Sequence, residues 1–240
     1  YGLKKKSRIN LDDGLLASTT LRSVARMFAF AAPEVYASGE PSGIEVLQTA
    51  PPVLRLGTDM LAGRSDKELA YHFAKRLTYF HPWHVIATLY GREALDHLYM
   101  AAASLVDPDY RLVLRDDLPA QEQQTISETV AEVRAMLEKS APAEIRRQLV
   151  SVMENYWKRT KTPNIGAWHR AVELTADHAA VIASGDIAMV GQLIKNDTDG
   201  LSKLKNSEKL KEFVQFVLSD TYLKLRRQLG VQIDYSELLG

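Results

Sequence analysis

The sequence predicts a mainly α-helical fold with a small β-hairpin or sheet, arranged as a single domain over residues 1–240. Apolar side chains recur at helical spacing along most of the chain, which is the pattern of helices that bury one face. Extended character is confined to residues 33–57, where clusters of glycine and proline interrupt short apolar runs. With 240 residues, an apolar fraction of 46% and a charged fraction of 25%, the chain can bury a full core.

The first expected elements are a helix and a small β region. Residues 14–30 are predicted to form a helix, because six apolar side chains fall on one stripe at helical spacing. They are Leu15, Leu16, Leu21, Val24, Ala25 and Phe28. Two extended pieces follow at 33–38 and 44–56, and the second is interrupted by Pro51 and Pro52. This arrangement predicts a hairpin or edge strands.

Helices are expected over nearly all of the remaining chain. Ser65 and Glu68 have the spacing of a capping box, which predicts the start of a helix over 65–80. Asp186 is a plausible N-cap for a short helix that ends near Ile194. The other predicted helices span 84–105, 119–139, 142–160, 166–184 and a final stretch to about Leu229.

The sequence also predicts an insert and a mobile loop. The helix pair at 119–160 is a candidate insert of the kind that varies within a family. The segment 195–207 is rich in Asn, Asp, Gly and Lys and has only two leucines, so we expect a mobile loop there.

Composition excludes several functions. Thirty basic residues balance thirty acidic ones, so no global field attracts nucleic acid or an anionic membrane. The absence of cysteine excludes disulfides, thiolate zinc sites and a cysteine nucleophile. No apolar stretch approaches the roughly 20 residues that span a bilayer, and no signal peptide is visible, so we expect a soluble, cytoplasmic protein. Because the chain begins at Tyr1 instead of Met, we expect a fragment of a larger protein.

Two segments, Ser65–Tyr79 and Trp168–Asp177, resemble the gluzincin metallopeptidases of the HtpX and CAAX-prenyl-endopeptidase kind. In that family a Glu-Leu pair leads into a His-Glu-x-x-His motif, and a distant Glu-x-x-x-Asp helix supplies the third zinc ligand. Aligned on Glu68, the resemblance places Lys75 and Tyr79 at the two histidine positions and Arg76 at the general base. A lysine ammonium repels zinc, an arginine cannot accept a proton and a tyrosine is a poor ligand. The resemblance therefore implies a gluzincin-like helical domain without catalytic residues or a cofactor.

The second segment retains the family pattern. Glu173 falls at the position of the third ligand, and Asp177 falls at the aspartate four residues later. If the resemblance holds, Lys75 points toward Glu173. A buried carboxylate without its metal requires a cation, because an unpaired buried charge costs about 3–5 kcal/mol. We therefore predict that Lys75 or Arg76 pairs with Glu173 and that Tyr79 is hydrogen-bonded nearby.

The first functional hypothesis is a non-catalytic domain, a pseudoenzyme, that serves protein interaction or structural support within a larger protein. The resemblance implies that such degenerate modules sit beside helical repeats of the tetratricopeptide kind, so the expected partner is a protein or an adjacent domain. The helix at 119–139 or the last helix is the expected docking face.

Two alternatives remain open at the level of sequence. One is a metal-dependent hydrolase whose displaced site uses His169, Glu173 and one further histidine. The candidates for that third ligand are His72, His81 and His84. The other alternative is an all-helical structural domain unrelated to peptidases.

Overall fold

The computed structural model describes residues 1–110, 112, 114, 117–160, 162–198 and 200–231. Within these residues the protein is mainly helical, with eleven α-helices and one three-stranded sheet, as the sequence predicts. The chain forms two compact units, of which one comprises Tyr1–Leu89 with Arg170–Gly240 and the other Tyr90–His169. The predicted helix pair at 119–160 belongs to the second unit.

The first unit begins with a 3₁₀ turn and a helix that precede the sheet. The turn is Lys5–Ser7, and the helix α1 spans Leu16–Met27. Helix α1 ends earlier than the apolar stripe predicts, because Ala29 has a φ of 55°, in the left-handed region that a helix does not use.

The sheet contains the strands β1 (Val35–Ala37), β2 (Ile44–Leu47) and β3 (Val53–Leu56) in the order β1-β3-β2. Strands β2 and β3 form the predicted antiparallel hairpin, with Leu47 opposite Val53. Strand β1 pairs with β3 in parallel, which the sequence did not indicate. Strand β2 therefore lies at one edge of the sheet.

Helix α3 (Asp66–Thr78) follows the sheet after a short α2 (Thr58–Leu61). The predicted capping box is confirmed: Glu68 N donates to Ser65 Oγ at 3.2 Å, and Ser65 N donates to Glu68 Oε2 at 2.9 Å. Helix α3 packs against α1 and β2.

The interior of the first unit is made by large apolar side chains from these elements. Fully burying each such side chain contributes about 1.5–3 kcal/mol, so this core fixes the position of α3. The central side chains are Leu21, Val24, Leu54, Leu56, Phe73 and Leu77.

The first unit is completed by helices that follow α3 and by the C-terminal part of the chain. They are α4 (Val85–Leu89), α8 (Ile165–Ser184) from residue 170 onward, α9 (Ile187–Lys195), α10 (Asn206–Val217) and α11 (Asp220–Gln228). Asp186 caps α9 as predicted, with Met189 N donating to its Oδ1 at 3.0 Å. The final predicted helix is two helices, because Ser219 caps a new start by accepting a hydrogen bond from Tyr222 N at 3.3 Å.

The second unit consists of α5 (Arg92–Val106), α6 (Ala120–Ser140), α7 (Ala143–Trp157) and the first residues of α8. The helix predicted over 84–105 is divided at Gly91, which is the N-cap of α5. Trp157 Nε1 donates to Tyr99 Oη at 3.0 Å and joins α7 to α5. Among the helices that the structure describes, none combines the length and the apolar character needed to cross a membrane.

Candidate functional site

The candidate site lies within the first unit, between α3 and α8. Tyr71 and Lys75 on α3 and Tyr79, the C-cap residue of that helix, are spaced four residues apart, so their side chains share one face. Glu173 and Asp177 have the same spacing on α8. The polar side chains are almost completely removed from solvent: Lys75 is 3% exposed, Glu173 0% and Asp177 1%.

Five charged side chains in this region form alternating ion pairs. Lys75 Nζ lies 2.8 Å from Asp177 Oδ1 and 2.7 Å from Asp197 Oδ2. Lys209 Nζ lies 3.2 Å from the same Asp197 oxygen and pairs with Glu173 Oε1. We call this set, which runs from Asp177 through Lys75, Asp197 and Lys209 to Glu173, the ion-pair chain. Asp197 is its central member because it contacts both lysines.

The segment between α9 and α10 closes over Glu173. Ser202 N donates to Glu173 Oε2 at 2.9 Å, and Ser202 Oγ donates to the same oxygen. Gly200 approaches so closely that an added Cβ would lie 2.6 Å from Glu173 Oε1 and 2.7 Å from Lys209 Nζ. These distances are shorter than nonbonded contacts allow, so a larger residue at this position would displace the paired ends of Glu173 and Lys209.

Burial and charge pairing act against each other in the ion-pair chain. Burial disfavours the charged form of Lys75, but the carboxylates of Asp177 and Asp197 outweigh it and raise the pKa of Lys75. Lys75 therefore stays protonated at neutral pH. Burial also raises the pKa of Asp177, against the opposing attraction of Lys75. Three carboxylates share two ammonium groups in this set, so pairing does not fully offset the desolvation of Asp177.

Two tyrosines adjoin the ion-pair chain. Burial raises the pKa of Tyr71 to about 12, and the Lys75 Nζ lies 5.8 Å from the centroid of its ring. Burial also raises the pKa of Tyr79. Neither phenol ionises near neutral pH. The Tyr79 hydroxyl is buried and has no hydrogen-bond partner among the described residues.

The prediction that Glu173 pairs with a cationic side chain is confirmed, but the predicted partners are wrong. Glu173 does pair with a cation, but the cation is Lys209 and not Lys75 or Arg76. Lys75 reaches Asp177, one helical turn farther along α8. Arg76 donates from Nε to the carbonyl of Ile44 at 3.0 Å, at strand β2. The predicted hydrogen bond at Tyr79 is also wrong, because the described residues place no donor or acceptor at its hydroxyl.

Sequence reasoning missed three members of the site. Lys209 lies one helical turn before Phe213, so it continues the buried stripe of α10; a lysine at such a position is a signal of internal pairing. Asp197 and Ser202 lie in the segment predicted to be a mobile loop. Their polar composition gave no indication that they attach to the interior.

The histidines proposed for a displaced metal site do not converge on one point. Burial lowers the pKa of His72 to about 4, so its imidazole is neutral, and its Nε2 has no hydrogen-bond partner among the described residues. His84 Nδ1 donates to the carbonyl of Thr78 at 3.0 Å, and His169 is 5% exposed. In the part of the chain that the structure describes, no three His, Asp or Glu side chains are arranged to hold a metal ion.

The chemistry of the site residues does not fit a zinc ion. The ammonium group of Lys209 contacts Glu173, the carboxylate that would have to serve as a ligand, and that of Lys75 contacts Asp177. Two positive charges at this place oppose the binding of a third cation. A cavity of about 170 Å³ lies beside the ion-pair chain, between β2, α3 and the segment that follows α9. It is lined in part by Lys75, Arg76 and Asn196.

Comparison with known proteins gives no relative for this chain. No protein-family model matches the sequence, and neither a curated protein nor a solved structure matches it significantly.

Lys209→Met is expected to lower the free energy of unfolding by about 3–5 kcal/mol, because it leaves Glu173 charged, buried and without its cation. Adding Glu173→Gln to this variant should restore about half or more of the lost free energy of unfolding, since the unpaired carboxylate is then removed. Urea denaturation followed by circular dichroism measures both. The control is Lys211→Met on the exposed side of the same helix, which should stay within about 0.5 kcal/mol of wild type. A Lys209→Met variant as stable as this control would contradict the assignment.

Tyr79→Phe is expected to leave the protein as stable as wild type or to stabilise it by about 1 kcal/mol. The reason is that the substitution removes a buried hydroxyl with no hydrogen-bond partner among the described residues and keeps the ring. Tyr99→Phe is the matched control, because its hydroxyl accepts the Trp157 hydrogen bond and its loss should destabilise by about 1 kcal/mol. The same urea titration compares the two. A clear loss of stability in Tyr79→Phe would mean that the hydroxyl is bonded.

Proposed function

We propose that the chain is a non-catalytic, pseudo-peptidase-like helical domain that serves protein interaction or structural support within a larger protein. The observation that carries the proposal is the ion-pair chain. Its two lysines engage Glu173 and Asp177, the acidic residues that would assist a metal in a gluzincin site. The buried charges of the site are therefore engaged with one another and not with a metal or a substrate.

The chemistry of the site supports a non-catalytic role. A zinc hydrolase requires three protein ligands, an open position for water and a nearby group that accepts a proton. Lys75 stands at the position of the first ligand, and its raised pKa keeps it cationic. Arg76 stands at the position of the base and cannot accept a proton. Glu173 is fully buried and paired with Lys209.

The order of elements supports the gluzincin-like reading over an unrelated all-helical domain. The β2–β3 hairpin precedes α3, which carries Glu68 near its start, and α8 presents Glu173 and Asp177 to the same interior. A purely helical domain has no need of this hairpin-then-helix arrangement.

Exposed apolar side chains support a role in protein interaction. Val214 and Leu218, one helical turn apart at the end of α10, are 49% and 80% exposed, and Leu223 on α11 is 58% exposed. Large exposed apolar side chains are a feature of docking faces. We therefore assign docking to the C-terminal helices, where an adjacent domain or a separate protein would cover these side chains.

The non-catalytic half of the proposal is tested by measuring bound metal and hydrolysis. The purified protein is expected to contain less than about one zinc per ten chains, because lysines occupy the cation positions of the site. Its melting temperature should not change with EDTA or with one equivalent of zinc. Peptide hydrolysis should be equal in wild type and Glu173→Gln. Stoichiometric zinc, or a zinc-dependent hydrolysis that Glu173→Gln abolishes, would overturn the proposal.

The interaction half is tested by cross-linking the full-length protein that carries this domain with an amine-reactive reagent. Lys211 and Lys224 are exposed on α10 and α11, so they should form cross-links to the covering domain or partner. Leu218→Glu should reduce these cross-links several-fold, because it places a charge in an apolar contact, and should leave the melting temperature unchanged. Gln215→Glu adds the same charge at another exposed position of α10 and serves as control. Cross-links of equal yield in both variants would exclude this face.

A further inference from the structure

The exposed apolar side chains of the C-terminal helices lie on both sides of one corner of the chain. Helix α10 ends at Val217, and α11 begins at Asp220. Leu218 is the C-cap residue of α10 and is 80% exposed, and Leu223, which is 58% exposed, lies in the first turn of α11. Val214 shares a side of α10 with Leu218, because helical residues four positions apart project in the same direction. We call Val214, Leu218 and Leu223 the corner surface.

The core of the first unit does not use the corner surface. Phe213 of α10 and Tyr222 of α11 are almost fully buried and belong to the core. Val214 and Leu223 each follow one of these residues directly, and consecutive side chains of a helix project about 100° apart. They therefore point away from the core. Apolar side chains in this position become more stable when a partner removes them from water.

Cationic side chains adjoin the corner surface. Lys211 lies three positions before Val214 and Arg227 lies four positions after Leu223, so each shares a side of its helix with an apolar member. Lys224 follows Leu223 directly. These three cations are exposed, and none of them forms an ion pair with another residue in the part of the chain that the structure describes. Their charges are thus available to a partner.

The neighbouring carboxylates do not cancel this positive charge. Asp220, three positions before Leu223, shares a side of α11 with the corner surface. Glu212 lies two positions from the nearest member, and side chains at that spacing do not face the same way. Glu208 is engaged at the start of α10, where its Oε2 accepts from Lys205 N at 3.1 Å. Three cations and one carboxylate therefore surround the apolar centre, which favours a partner that carries negative charge.

We propose that the corner surface binds an acidic amphipathic helix. The apolar row of that helix covers Val214, Leu218 and Leu223, and its carboxylates pair with the three cations. Such a helix combines both features, because it presents apolar side chains one turn apart with charged residues beside them. This inference rests on the docking proposed for the C-terminal helices and names the chemistry of the partner.

An anionic membrane is the other negatively charged surface that could attract these cations. A helix that lies on a membrane inserts an apolar row along its whole length. Helices α10 and α11 bury their main apolar rows in the first unit, through side chains such as Phe213, Tyr222 and Leu225. Only the corner surface remains outside, and this favours a protein helix over a lipid surface.

Two synthetic peptides of about 18 residues test the charge of the partner. Both have the pattern of an amphipathic helix with the same row of leucines, and their polar positions are glutamate in one and lysine in the other. Fluorescence anisotropy measures their binding to the 240-residue chain. The acidic peptide should bind about tenfold more tightly than the basic one. Raising NaCl from about 0.05 to about 0.5 M should reduce this difference several-fold.

Substitutions locate the binding. Lys211→Glu combined with Arg227→Glu should abolish the preference for the acidic peptide, because two charges beside the apolar side chains are reversed. Leu218→Ser should weaken binding of the acidic peptide several-fold. The matched control is Lys4→Glu combined with Lys6→Glu, which makes the same change of net charge on the exposed N-terminal segment and should keep the wild-type preference. All these positions are exposed, so the melting temperatures should stay close to that of wild type.

Four results would overturn the acidic partner. They are no binding of the acidic peptide at about 1 mM, equal affinity for the two peptides, an equal loss of preference in the N-terminal control, and tighter Leu218-dependent binding to phosphatidylserine vesicles than to the acidic peptide. The last result would assign the surface to a membrane. Failure of the docking proposal is distinguishable: if Leu218→Glu lowers the cross-links of the full-length protein while both peptides bind equally, the docking face stands and its acidic partner is wrong.

Discussion

The cost of removing carboxylates from water governs the arrangement of the first unit. Helix α8 carries Glu173 and Asp177 into an interior where they are 0% and 1% exposed, and a charge at that depth requires a cation in contact. Lys75 from α3 and Lys209 from α10 satisfy this requirement. Each lysine thereby links its helix to α8. The hydrophobic core supplies most of the stabilisation, and the ion pairs add directional contacts between these helices.

The same pairing supports the proposed non-catalytic role of this site. Catalytic groups hold a charge or a proton ready for a substrate, whereas each carboxylate of the ion-pair chain is engaged with a lysine of its own chain. Perturbed pKa values are often taken as signs of an active site. Here the raised pKa of Lys75 follows from its two carboxylate partners, and that of Asp177 follows from burial, so both are explained by packing alone.

Short-range sequence signals predicted the starts of two helices correctly. The capping box at Ser65 and the cap at Asp186 depend on residues three positions apart, and both are found where they were expected. Helix breaks at Gly91 and Ser219 were missed, because the apolar periodicity continues across them. The need of Glu173 for a cation followed from the energetic cost of burial. The identity of that cation did not follow, since Lys209 is distant in sequence and reaches Glu173 only through the packing of α10.

The alternation of charges through Asp197 has a consequence for how these positions can change in evolution. A neutral residue at Lys75 removes a partner from Asp177 and Asp197, and a neutral residue at Lys209 removes a partner from Asp197 and Glu173. A larger residue at Gly200 collides with the last of these pairs. Single substitutions here are therefore expected to destabilise the first unit, and a neutral replacement of one member is best compensated by a change at its partner. The five members of the ion-pair chain are therefore expected to change together and not one at a time.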